Sequence, residues 1–131
     1  MLPREARPPH PRHRLASVSQ KTVAKNRNSV IESWVDVGAD VATINRGEAI
    51  QRADLLVAND RAYTLEPGGR LVPISGPGIH VLSRAAFHAL GVYNTFGLTE
   101  RAESILDRMQ TVASEREVAR RMWRLEHKRS G

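Results

Sequence analysis

Apolar residues recur at helical spacing in the first third of the folded part of this chain. They follow one another at intervals of three or four residues: Val30, Trp34, Val37, Val41 and Ile44. Such a stripe predicts a helix that begins near residue 28, where Ser29 and Glu32 form a capping-box pattern, and ends before Gly47. A strand over residues 34–37 is the alternative interpretation of the same stretch.

The central part of the chain has the pattern of a β-meander. Short apolar runs at 55–58, 61–65 and 70–74 are separated by turn residues. The segment Glu66-Pro67-Gly68-Gly69 is the strongest turn signal, because Pro fixes φ and Gly tolerates positive φ. Pro73 cannot donate a hydrogen bond, so the third strand is predicted at an edge. Residues 79–82 extend the strand region briefly.

Three helices are predicted after the strands, over residues 84–93, 100–110 and 114–128. Ser83 and Thr99 are suitable N-caps for the first two, and Ser114 with Glu117 forms a capping box for the third. A hairpin alone is unstable in water, so these helices must cover one face of the strands. The predicted fold class is α+β, with an N-terminal helix, a small antiparallel β-meander and then three C-terminal helices, in a single domain over residues 28–131.

Residues 1–27 are rich in Pro, Arg and His and poor in apolar residues, which predicts a disordered basic segment. Residues 1–30 carry seven basic residues and one acid, whereas residues 31–131 are balanced, so the net charge of +6 belongs to the N-terminal segment. Basic segments attract phosphates. The predicted nucleic-acid-binding residues are Arg12, Arg14, Lys21, Lys25 and Arg27 in this segment, and Arg120 and Arg124 on the last helix. His10 and His13 are interpreted as solvated.

Several classes of site and location are disfavoured by the sequence. Cysteine is absent, so neither a disulfide framework nor a thiolate zinc site is expected. The folded part shows neither a metal-binding motif nor a nucleotide fingerprint, so we expect neither a metal nor a cofactor. No apolar run reaches 18 residues, and the N-terminus lacks the apolar part of a secretory signal. We therefore expect a cytoplasmic protein that does not contact a membrane.

A set of polar side chains around the Gly/Pro-rich loop is the candidate catalytic site. The members would lie at one end of the predicted sheet: Tyr63, Arg70, Ser75, His80 and Arg84. A histidine beside arginines is the composition of a metal-independent ribonuclease site. The alternative is that His80 is structural and the loop is only a tight connection. Asp36 and Asp40, one helical turn apart, are interpreted as a solvated acidic face.

Residues 43–110 also carry a family resemblance. The positions that carry it are Ile44, Asn45, Gly47, Asp60, Arg61, Tyr63, Gly69, Arg70, Leu71, Pro73, Ser75, Gly76, Gly78, Arg84, Phe87, Ala89, Leu90, Gly91, Val92, Tyr93 and Asn94. In this half of the chain the sequence resembles short, uncharacterised bacterial proteins and the C-terminal effector regions of polymorphic toxins. The resemblance implies a bacterial, mobile-element or conflict-system setting.

Three functions remain open from the sequence. The first is a nucleic-acid-directed effector, a ribonuclease-type toxin that acts on RNA rather than DNA. The second is a non-enzymatic binding module that docks a partner protein and contacts nucleic acid or another acidic surface through residues 1–27. The third is an accessory subunit of a larger assembly, in which that segment orders on binding. The oligomeric state is not predicted.

Overall fold

Six strands and four α-helices follow two short 3-10 turns in the computed structural model, which describes residues 5–25 and 27–127. The 3-10 turns are Pro11–His13 and Leu15–Ser17. The strands are β1 Asn28–Ile31, β2 Ile50–Arg52, β3 Leu55–Ala58, β4 Arg61–Leu65, β5 Leu71–Ser75 and β6 Ile79–Leu82. The helices are α1 Val37–Asn45, α2 Arg84–Phe96, α3 Glu100–Arg108 and α4 Ala113–His127.

The strands form two antiparallel sheets. One has four strands in the order β2-β3-β4-β5, and the other pairs β1 with β6. The predicted hairpin is confirmed, since Leu65 lies opposite Leu71 across the turn and Gly69 takes a φ of 91°. The α+β class is confirmed as well, with the predicted strand at 55–58 present as β3.

The first helix was predicted too early in the chain. Residues 28–31 form a strand, residues 33–35 form a turn and α1 begins at Val37, with the Asp36 carboxylate accepting a hydrogen bond from the backbone N–H of Ala39. The alternative strand over 34–37 is absent too. Pairing with β6 fixes β1, and Val30 of β1 is fully buried. A long-range partner therefore overrides the local capping-box pattern at Ser29.

Residues 5–25 lie against the rest of the chain, which differs from the disordered segment predicted for 1–27. Leu15 and Val18 are almost completely buried in the core formed by the helices. The side-chain amide of Asn94 on α2 donates to the carbonyls of both residues at 2.9 Å. A Cβ on Gly91 would lie 2.5 Å from the carbonyl oxygen of Ser19, so glycine at this position permits the close approach. The few apolar residues of this segment are thus sufficient to anchor it.

The three predicted C-terminal helices are confirmed, and α2 is the central one. Phe87, Leu90 and Tyr93 of α2 are buried against residues of α3 and α4 such as Leu106 and Met122. Thr99 caps α3 as predicted, its hydroxyl accepting from Ala102 at 3.2 Å, and Ser83 caps α2 in the same way. A smaller core lies between α1 and the four-stranded sheet, around Ile44, Tyr63 and Leu71.

Candidate nucleic-acid interface

A cavity of about 920 Å³ opens between the N-terminal segment and the β4–β5 hairpin. We call it the basic cavity, since its lining includes seven residues with cationic or imidazole side chains: His10, Arg12, His13, Lys21, Lys25, Arg27 and Arg70. Glu66 is the one acid among the described residues that line it. The cavity therefore concentrates much of the basic charge of residues 1–30 in one place.

Backbone hydrogen bonds bring the N-terminal segment to the hairpin. The N–H of Arg7 donates to the carbonyl of Gly69 at 2.7 Å, and the N–H of Leu71 donates to the carbonyl of Arg7 at 3.0 Å. Ala6 is buried beside Leu71 in the smaller core. This short parallel pairing places Arg7 beside Arg70, and so joins two parts of the chain that are about sixty residues apart.

The backbone of each cavity lysine is held by a neighbouring polar side chain. The hydroxyl of Ser19 accepts from the N–H of Lys21 at 3.2 Å and lies in a turn closed by Thr22. The buried side chain of Asn28 accepts from the N–H of Lys25 at 2.7 Å and donates to its carbonyl at 2.8 Å. Neither ammonium group forms a hydrogen bond or an ion pair with another described residue.

Arg12 lies at the inner wall of the cavity. Its guanidinium donates to the carbonyl of Val23 and to the side-chain oxygen of Asn28, both at 3.2 Å, and lies 5.4 Å above the ring of Phe87. Its Nε–H is buried without a hydrogen-bond partner. Burial lowers the pKa of this guanidinium, because desolvation disfavours the charged form.

His13 lines both the basic cavity and a second cavity of about 550 Å³, as do His10 and Ser17. Its Nδ1 is 2.8 Å from the carbonyl oxygen of Ser29 and therefore carries the proton, because a carbonyl only accepts. Its Nε2 then accepts from Arg12 at 3.4 Å. Burial lowers the pKa of His13, and the nearby charges of Arg12 and His10 lower it further, against the bond to Ser29.

Four of the seven predicted nucleic-acid-binding residues line the basic cavity, namely Arg12, Lys21, Lys25 and Arg27. Arg14 is exposed and lines the second cavity instead. The two residues predicted on α4 bind within the protein. Arg120 donates to the hydroxyl of Tyr93 at 2.9 Å and to Glu117 at 3.2 Å, and Arg124 lies 3.8 Å from Glu117. The bond from Arg120 to Tyr93 joins α4 to α2, whereas Arg124 is paired within its own helix.

The five predicted catalytic residues do not form one cluster. Arg70 lines the basic cavity, Ser75 is exposed at the end of β5, and Arg84 is exposed at the start of α2. Tyr63 is completely buried in the core beneath the larger sheet. His80 lies in the other sheet, because β6 pairs with β1 and not with β5. Among the described residues, no hydrogen bond or ion pair joins any two of the five.

His80 has a carboxylate partner that the sequence analysis missed. Its Nε2 is 2.8 Å from one oxygen of Glu32, and the other oxygen accepts from the indole N–H of Trp34 at 3.0 Å. The His80 side chain is about one-third exposed, at 32%. Glu32 was interpreted as part of a helical capping box, and its proximity to His80 follows only from the pairing of β1 with β6.

Tyr63 belongs to a buried polar network around Asp40. Arg61 donates to both oxygens of Asp40, at 2.6 and 3.0 Å, and the hydroxyl of Tyr63 and the amide of Asn59 donate to it as well. Burial first, and then the bond to Asp40, raise the pKa of the Tyr63 hydroxyl well above its usual range. The interpretation of Asp40 as a solvated acid is wrong, since its side chain is completely buried. The network fastens α1 to the sheet.

Comparison with known proteins assigns no role to the basic cavity or to the Glu32–His80 pair. No family model, curated protein or solved structure matches the chain. Over residues 5–25 and 27–127, no helix has the length and apolar character needed to cross a membrane. The same part of the chain contains no group of three or more His, Cys, Asp or Glu side chains arranged to hold a metal ion.

Proposed function

We propose that this protein binds nucleic acid, with RNA favoured over DNA, and that the basic cavity is the binding site. The observation that carries the proposal is the charge of the lining, which combines Arg12, Lys21, Lys25, Arg27 and Arg70 with a single described acid, Glu66. A polynucleotide carries many phosphate groups, so several of them can contact such a cluster at once. Each phosphate that a cation neutralises releases condensed counterions, which favours binding.

Several arginines outside the cavity are already paired with carboxylates of the protein. Arg61, Arg116 and Arg120 each form ion pairs with carboxylates of neighbouring elements. Within the described chain, none of the five cavity cations forms an ion pair with a carboxylate. Unpaired cations around one concave surface repel one another, and an anionic ligand would relieve that repulsion.

The direct test is the affinity for a fluorescently labelled single-stranded RNA, measured by anisotropy. Lys21→Gln combined with Lys25→Gln removes two cavity charges at exposed residues whose ammonium groups bond to no described residue, so the fold should persist. We expect the dissociation constant to rise roughly tenfold or more at about 0.1 M salt, which corresponds to the loss of two phosphate contacts. DNA of the same sequence, which lacks the 2′-hydroxyl, tests the preference for RNA.

Arg108→Gln combined with Arg121→Gln is the matched control. Both residues are exposed, on α3 and α4, and their replacement removes the same net charge outside the cavity. We expect this variant to bind RNA nearly as well as the unmodified protein. An equal loss in both double variants would contradict the proposal, as would the absence of binding by the unmodified protein.

A ribonuclease-type toxin effector is the second candidate function, and the Glu32–His80 pair favours it. A carboxylate that holds one imidazole nitrogen orients the ring and leaves the other nitrogen free to exchange a proton with substrate. Expression of the chain in bacteria should then arrest growth and degrade RNA. His80→Ala should abolish both effects, whereas His88→Ala, a half-buried histidine on α2, should not. Intact RNA with the unmodified chain would exclude this function.

A further inference from the structure

Trp34 carries the one exposed aromatic ring among the Trp, Tyr and Phe side chains of this protein. All six of these residues lie in the described part of the chain, and five of them are buried or half-buried. Trp34, in the turn between β1 and α1, is 53% exposed. An indole offers a large apolar surface, so a tryptophan left in solvent is well suited to contact a ligand.

Three contacts hold this indole in one orientation. Its N–H donates to a carboxylate oxygen of Glu32 at 3.0 Å. The guanidinium of Arg61 lies 6.0 Å from the ring centroid, and since Arg61 is itself buried, this contact is on the inner side of the ring. A Cβ on Gly78 would lie 2.9 Å from Cζ2 of the indole, so the loop before β6 packs closely against it. A ring that is already oriented loses little entropy when a ligand stacks on it.

Nucleobases are flat ligands that suit such a ring. Every base has an aromatic face, and stacking on protein aromatic side chains is a general way of binding single-stranded nucleic acid. The N–H of Trp34 is already bonded to Glu32, so the ring offers a ligand its face and not a hydrogen bond. Stacking is therefore the contact that this side chain can make.

The second cavity adjoins both the basic cavity and the turn that carries Trp34. It shares three lining residues with the basic cavity, and Ser33 and Val35, the neighbours of Trp34 in the sequence, line it as well. A single strand whose phosphates lie in the basic cavity can extend along this surface to the indole. Glu32 bonds both Trp34 and His80, so a base on the indole would lie beside the Glu32–His80 pair.

We propose that Trp34 is a stacking site for a nucleobase of single-stranded RNA, on the same strand whose phosphates occupy the basic cavity. The inference rests on the proposed function, which assigns RNA to that cavity. It adds that the protein selects single-stranded over double-stranded RNA, because a base that is paired and stacked within a duplex cannot lie on the indole. It also places one nucleotide of the bound strand next to His80.

Tryptophan emission during an RNA titration tests the stacking site directly, because a stacked base quenches the indole. Trp123→Phe leaves Trp34 as the only tryptophan, and the half-buried position on α4 should accept phenylalanine. We expect single-stranded RNA to quench most of the emission of this variant. Inorganic polyphosphate, which carries the charges but not the bases, should bind without quenching it. In Trp34→Phe, where only Trp123 emits, RNA should change the emission little.

RNA affinity measured by anisotropy gives a second readout. Trp34→Ala should raise the dissociation constant for single-stranded RNA roughly fivefold or more, the loss typical of one stacked base, and Trp34→Phe should lose less. Val112→Ala truncates another exposed apolar side chain, in the loop between α3 and α4, and should leave the affinity unchanged. Duplex RNA should bind the unmodified protein and Trp34→Ala equally.

RNA that saturates the Trp123→Phe variant by anisotropy without quenching Trp34 would overturn the stacking site and leave the proposed function standing. Equal quenching by polyphosphate, or an unchanged RNA affinity in Trp34→Ala, would overturn the stacking site as well. If the unmodified protein binds no RNA, the proposed function and the stacking site are both wrong.

Discussion

At the scale of single residues, the decisive positions are charged side chains whose burial differs from what their local sequence indicates. Asp40 was expected on a solvated face, yet it accepts hydrogen bonds from Arg61, Tyr63 and Asn59 in the interior. Periodicity correctly placed Val37, Val41 and Ile44 on a helix, but it carries no information on a carboxylate that meets partners about twenty residues away. Arg12 is the opposite case, a basic residue of a polar segment that lies against Phe87.

Asp40→Asn should be among the most destabilising single changes in the molecule. It leaves Arg61 buried without its counter-charge and turns an amide N–H toward the guanidinium, and breaking a buried pair in this way costs about 3–5 kcal/mol. The free energy of unfolding from urea titration measures the effect. Glu48→Gln, which breaks the exposed pair between Arg46 and Glu48, is the control and should change stability little. Similar small changes in both variants would contradict a structural role for Asp40.

At the scale of elements, local signals predicted most of the fold. The hairpin between β4 and β5 depends on a Pro-Gly-Gly turn, and α2 and α3 begin at caps that lie next to them in sequence. In contrast, β1 exists because β6 pairs with it, about fifty residues later. Its local sequence therefore indicated a helix. The burial of the N-terminal segment was not predicted for the same reason, since it depends on contacts with Gly91 and Asn94 of α2.

Leu15→Ala tests whether the N-terminal segment belongs to the folded domain. Leu15 is completely buried in the helical core, so its truncation should lower the free energy of unfolding by about 2–5 kcal/mol. Val23→Ala is the matched control, because Val23 lies in the same segment and is 69% exposed. Denaturant titration that shows no difference between the two variants would mean that the segment does not contribute to the core.

At the scale of the whole molecule, the fold converts a basic stretch of sequence into a basic concave surface. Composition alone identified the excess charge of residues 1–30 and proposed contacts with nucleic acid for Arg12, Lys21, Lys25 and Arg27. It could not show that Arg70 joins them, because that contact depends on the pairing of Arg7 with the hairpin. Nor could it show that Arg120 is engaged by Tyr93 and Glu117.

The salt dependence of RNA binding tests the central claim most directly. Affinity for single-stranded RNA is measured at several salt concentrations for the unmodified protein, the Lys21→Gln, Lys25→Gln variant and the Arg108→Gln, Arg121→Gln variant. The account predicts that the slope of log affinity against log salt becomes shallower by about 1.4 in the cavity variant, at roughly 0.7 for each lost phosphate contact, and stays unchanged in the control. Equal slopes in all three proteins, or an equal decrease in both variants, would show that RNA does not bind in the basic cavity.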